Sequence, residues 1–157
     1  MPTNEDLLKQ PARLYFVEYS KAWTGRPYYW GGDDPLQGFD CSGLVVEGLK
    51  GIGFLEENDD YAAEGLFNLY KSKEVMAPYA GCLIFWFNTD NKAVHIAIAI
   101  DKDFMIHAGG GGRKTTSYAE AIRTNAFIKM RHIPSYNKFR SEKYGQAHRI
   151  VDPFLIP

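Results

Sequence analysis

The chain has 157 residues, 45% hydrophobic and 15% aromatic, which suits one domain with its own core and is too apolar for a disordered chain. Its 18 Lys and Arg against 19 Asp and Glu leave a net charge of −1, so no cationic excess exists to neutralise phosphates and no nucleic-acid partner is expected. No stretch is long and apolar enough for a leader or a bilayer span, so the expectation is synthesis in the cytosol without membrane insertion.

Residues 5–23 are predicted as an amphipathic helix, with Leu14, Val17 and Ala22 on its apolar side and Pro11 tolerated near the first turn. Gly and Pro punctuate the following stretch to Phe39, which reads as loop. A second helix starts at Cys41: Leu44, Val45, Val46 and Leu49 fall on a helical period, Asp40 is the natural N-cap, and Gly51 and Gly53 supply the stop. A third is predicted over 59–71, with Asp59 or Asp60 as cap. Strands follow at 82–87, 93–101, 104–108 and 126–133. In the second of these, Val94, Ile96, Ile98 and Ile100 alternate with His95, Ala97 and Ala99. Helices first and a meander of strands afterwards predict an α+β fold, with N-terminal helices packed on a mainly antiparallel sheet. The chain reads as one domain over 1–157. A polar tail from about 134 ends in an apolar Pro-Phe-Leu-Ile-Pro, which either packs back on the domain or docks on a partner.

The chemistry gathers around Cys41. A thiol is a weak nucleophile until it loses its proton, and both a helix N-terminus and a neighbouring imidazole favour that loss. His95 and His107 stand on consecutive predicted strands, where two side chains can lie together on one face. The order is then nucleophile, base and a second imidazole that orients the first. The small Ala97 and Ala99 on the face of His95 are expected to leave room for the helix that carries Cys41. Read singly, a free cysteine is most often a small core residue, and Cys82 is read that way. A zinc site built on Cys41, His95 and His107 lacks an evident fourth ligand, so no metal and no cofactor is expected. Trp23, Trp30 and Trp86 read as core or cleft wall. His132 and His148 match no motif. Arg113, Lys114, Arg123, Lys129 and Arg131 read as a solvated face.

Three blocks in order, Pro-Tyr-Tyr-Trp-Gly-Gly … Gly-Phe-Asp-Cys-Ser-Gly-Leu-Val, Ala-Val-His-Ile-Ala-Ile-Ala-Ile and Met-Ile-His-Ala-Gly-Gly, resemble the NlpC-type cell-wall cysteine peptidases of the papain-like clan. The resemblance spans about residues 24–133. It implies a papain-like fold with Cys41 as nucleophile, His95 as general base and His107 as the orienting third member. It further implies that the Tyr28 hydroxyl faces the site, that Asp40 and Ser42 line the substrate site, and that Trp30 stands beside it. The implied reaction is hydrolysis of a γ-D-glutamyl–diamino acid amide in peptidoglycan or muropeptide stem peptides. Some members are amidases or acyltransferases instead, and a silent wall-binding module is a third reading. Without a leader, such an enzyme is expected to reach the wall by phage- or contact-mediated delivery, or to trim recycled muropeptides inside the cell. The chain departs from the family at Cys82, where an aspartate is common, and at Val94, where glycine is frequent. It also lacks the Pro-Arg-Ser/Thr run expected between the first two blocks.

Overall fold

Pro11 divides the predicted N-terminal helix. In the computed structural model, which describes residues 3–34 and 38–156, α1 covers Asn4–Leu8 and α2 covers Pro11–Ala22. Pro11 occupies the first helical turn, where its missing N–H leaves no bond unmade. A two-residue pairing of β1 (Asp33–Asp34) with β2 (Gly38–Phe39) leads into α3 (Cys41–Gly51). Then come α4 (Ala63–Tyr70), a short 3₁₀ turn, β3 (Glu74–Val75), β4 (Leu83–Phe87), β5 (Ala93–Ala99) and β6 (Phe104–Gly109). The chain closes with α5 (Tyr118–Thr124), β7 (Phe127–His132), α6 (Ile133–Tyr144) and β8 (Ala147–Val151). No helix is long and apolar enough to cross a membrane among the described residues.

The strands form one antiparallel sheet in the order β3-β8-β4-β5-β6-β7, so the last strand of the chain lies in the middle of it. The tail predicted from residue 134 is therefore integral: α6 folds over one face and β8 inserts between β3 and β4. Beyond β8, the carboxylate of the buried Asp152 takes a bidentate bond from Arg13 of α2 (3.1 and 3.0 Å) and a hydroxyl bond from Tyr79 (2.8 Å). Phe154 stacks on Phe16 and Phe54, so the apolar end packs back on the domain. Losing one partner of a buried pair such as Arg13–Asp152 costs about 3–5 kcal/mol, because the other charge is stranded.

The period-two pattern of β5 fixes two separate cores. Ile96 and Ile98 join Leu83, Phe85, Ile106 and Ala108 beneath α2, α3 and α4, with Phe16, Leu44, Leu49 and Leu66 fully buried there. Ala97 and Ala99 face the other way, with Cys82, Ile84, Trp86 and Met105, beneath Ile133 and Tyr136 of α6. The small alanines thus make room for α6, and the helix carrying Cys41 lies on the opposite face. Cys82 is sealed in this second layer, and burial pushes its thiol up to about 12, which fits its structural reading.

Candidate active site

Three local devices set the tip of α3. Asp40 caps it: Oδ1 accepts from the Gly43 N–H at 2.6 Å, and Oδ2 accepts from the Gly31 N–H at 3.0 Å, tying the Gly31–Gly32 turn to the helix. The Asp40 N–H in turn donates to the Gly32 carbonyl. Gly43 is glycine because the same carbonyl presses on it; a Cβ there would sit 1.9 Å from the Gly32 oxygen. Ser42 spends its hydroxyl on Asp40 Oδ1 at 3.3 Å.

The sheet opens to meet this tip. β5 and β6 are paired only at Ile98–Ile106 and Ala99–Met105. Both backbone groups of Ala99 bond toward β4, so by alternation the Ile96 N–H points toward β6, past the last rung. The Ile96 and Ser42 N–H groups there favour the Cys41 thiolate. His95 projects from the neighbouring position onto the α6 face, and the parting of the strands lets thiol and imidazole line a single cleft of about 580 Å³.

Behind His95 stands His107, with His95 Nε2 and His107 Nδ1 2.7 Å apart. Both rings are buried and clamped by Tyr136, with centroids 5.9 and 4.9 Å from its ring, while Trp86 packs on His95 at 5.5 Å. His107 Nε2 is buried with no partner among the described residues. If His95 donates from Nε2, its Nδ1 carries the lone pair that a base needs. His107 must then accept at Nδ1 and hold its own proton on the orphaned Nε2, at a cost of about 1–3 kcal/mol.

The charges are arranged to keep these groups neutral. Burial, then His107 and Arg140, hold His95 well below the ordinary imidazole range. Burial, then Arg131, Lys129 and Arg140, take His107 down to about 3, so it stays neutral at working pH. Two of the cations predicted as a solvated face, Lys129 and Arg131, thus act on the site from β7. Burial and then the Asp40 carboxylate push the Cys41 thiol up to about 12, against the lowering by the Ile96 and Ser42 N–H groups and Arg140. The acidified thiol expected from a helix tip is not the resting state, because burial strips solvent from a thiolate and the residue that caps the helix also repels it.

These shifts set a pH dependence of stability. The unfolded histidines bind protons from about pH 6.5 downward and the folded ones do not, so their contribution is complete above that pH and is lost as pH falls toward 3. We expect the midpoint of thermal unfolding to fall over this window, and a His107→Asn variant to lose part of that slope in calorimetric scans.

The other predicted residues divide. Tyr28 lines the cleft with its ring buried against Gly111, and burial, Cys41 and Asp40 all hold its hydroxyl protonated. Trp30 forms an open rim, 46% exposed. Asp40 and Ser42 line the cleft, but their side chains are engaged with each other and with the Gly31 and Gly43 amides. Trp86 is core, and Trp23 packs edge-on against Phe39. Sequence reasoning missed the far wall: Tyr136, Arg140 and Tyr144 on one face of α6, followed by Gln146. Their i, i+4 spacing was the available signal.

A thiol offered from a helix tip to the parted strands of an antiparallel sheet is the layout of the papain-like fold. Residues 25–132 match the model of the NlpC/P60 family, and the chain belongs to that family. It is 33% identical over 92 residues to the bifunctional muramidase/DL-endopeptidase CwlT of Bacillus subtilis (strain 168), covering 57% of this chain and 27% of that protein. It is 29% identical over 117 residues to the probable peptidoglycan endopeptidase LytE of the same organism, covering 74% and 32%. The chain thus spans less than a third of either curated relative. Among solved structures, the peptidoglycan hydrolase RipB from Mycobacterium tuberculosis superposes with a TM-score of 0.66 at 20% identity, covering 95% of this chain and 68% of that one.

Proposed function

We propose that this domain is a cysteine peptidase that cleaves the γ-D-glutamyl–diamino acid amide of peptidoglycan stem peptides. The observation that carries the reading is the 2.7 Å His95–His107 contact behind a thiol in the same cleft, since a His95 that donates from Nε2 to His107 keeps Nδ1 as its basic nitrogen. Family membership and the names of the two Bacillus relatives support the substrate class. Cys41 Sγ attacks the amide carbonyl while its proton passes to His95 Nδ1, and the imidazolium is steadied by its Nε2–H bond to neutral His107. The Cys41 N–H, at the first position of α3 where no intrahelical acceptor exists, receives the oxyanion, with the Tyr28 hydroxyl nearby. His95 then gives its proton to the leaving amine, and a water deprotonated by His95 cleaves the thioester to free acid and thiol. Because the resting pair is neutral, proton transfer accompanies attack rather than preceding it.

Purified sacculi of several wall types, incubated with the protein and analysed by mass spectrometry, test this directly. The expected fragments carry a new glutamyl carboxyl end and a new free amine on the diamino acid. New amide products formed only with an added amine would instead assign an acyltransferase to the same residues, and intact sacculi and stem peptides would overturn the peptidase reading.

A further inference from the structure

The wall of the cleft supplied by α6 and by Gln146 just after it lies outside the matched family region and carries Arg140. It is the single Lys or Arg lining the cleft among the described residues. Its guanidinium is fixed by neutral partners: Nε donates to Gln146 Oε1 at 2.7 Å, Nη1 donates to the Tyr136 hydroxyl at 3.3 Å, and the plane lies over the rings of Tyr136 and Tyr144 at 5.7 and 5.1 Å. It forms no ion pair with any described residue. The one carboxylate lining the cleft, Asp40, is occupied at the tip of α3. Arg140 is also near enough for its charge to depress both histidines and to favour the Cys41 thiolate. An immobilised guanidinium with part of its fork unspent, facing a cleft and lacking a counter-charge, is a receptor for a planar anion.

We propose that Arg140 receives a substrate carboxylate next to the scissile amide and makes the enzyme select acids over carboxamides at that position. The inference rests on the peptidase reading above. In a γ-glutamyl–diamino acid amide two groups have this chemistry: the glutamyl α-carboxylate, left free by the γ linkage, and the carboxylate of the diamino residue. Amidating either one keeps its shape and removes its charge, so the selection can be read against a neutral isostere.

The test uses synthetic stem peptides with each of the two carboxylates free or amidated in turn, assayed with wild type, Arg140→Gln and Arg140→Lys. Wild type is expected to prefer the acid at one of the two positions by roughly 10- to 100-fold in kcat/KM, mostly through KM, as for a charge-assisted hydrogen bond. In Arg140→Gln the acid-to-amide ratio collapses toward one, and Arg140→Lys keeps part of it. The position at which the ratio collapses identifies the carboxylate. Equal rates on all peptides in wild type, or a preference that survives in Arg140→Gln, overturns the inference while leaving the peptidase intact. If wild type cleaves none of the peptides, the peptidase reading fails separately. Calorimetric binding of the same peptides to Cys41→Ala protein then decides the Arg140 question: an acid preference lost in the Cys41→Ala/Arg140→Gln protein upholds it, and equal binding sinks it.

Discussion

A Cys41→Ala protein should fold normally and cleave stem peptides at least about 10⁴-fold more slowly than wild type, a loss of about 5.5 kcal/mol in transition-state stabilisation. The fold is expected to survive because the tip of α3 is held by groups other than the thiol. These are the Asp40 carboxylate and the contact of Gly43 with the Gly32 carbonyl, and both remain in the variant. The activity is not expected to survive because no other described thiol can substitute: Cys82 is sealed on the α6 face of the sheet. His95→Gln should cost a similar factor, and the double variant little more, since nucleophile and base act as one unit. The measurement is kcat/KM for the three variants beside their unfolding midpoints. If Cys41→Ala retained a tenth of the wild-type rate, the covalent mechanism would be wrong. If the two single losses simply multiplied in the double variant, the two residues would not be acting on one proton.

The parts of this site that were legible in the sequence are those whose signals are local. Asp40 before an apolar helical period marks a cap, and the cap is present. The alternation in 93–99 marks a strand with His95 apart from the isoleucines, and the strand is present. What alternation does not encode is which face each set covers, because both faces of β5 are buried. The isoleucines turned out to face the Cys41 helix and the alanines α6, and the thiol shares a cleft with His95 where β5 and β6 part beyond Ile98. That parting is a property of strand pairing, which no single segment specifies.

β8 was hidden for a related reason. Ala147, His148 and Arg149 are exposed and only Ile150 and Val151 are buried, so the segment reads as a polar tail, and its place between β3 and β4 comes from its partners. α6 buries only Ile133 and Tyr136, too little for an apolar stripe, although Pro134 in its first turn and Gly145 at φ +64° bracket it as start and stop signals do. The third helix begins four residues later than predicted, at Ala63, because Asp59 spends its carboxylate on the Glu56 N–H and caps no helix. Charge followed the same pattern. The influence of Arg140, Lys129 and Arg131 on the histidines depends on distances across the sheet and from α6, which the sequence does not state.

Gly109→Ala should lower kcat by about 10²-fold, whereas Gly112→Ala, in the same glycine run, should keep most of the wild-type rate. Gly109 ends β6 two residues after His107, on the same face of the strand. A Cβ there would lie 2.5 Å from Cε1 of the His107 ring and 2.8 Å from its Nε2. The ring has nowhere to retreat, since it is 1% exposed and held between His95 and Tyr136. Relief must therefore come at the bond from His95, and a base that loses its orienting partner loses its aim. At Gly112 an added Cβ meets nothing within 4 Å, and the backbone there is one that any residue adopts. Overpacking at Gly109 should also cost about 1–3 kcal/mol of stability, so rates are compared well below both unfolding midpoints. Loss through His107 is separated from general damage by a double-variant cycle. In a His107→Asn background the smaller side chain leaves space for the new methyl group, and Gly109→Ala should then cost little further activity. A full additional 10²-fold loss in that background would mean that the glycine serves something other than the histidine pair.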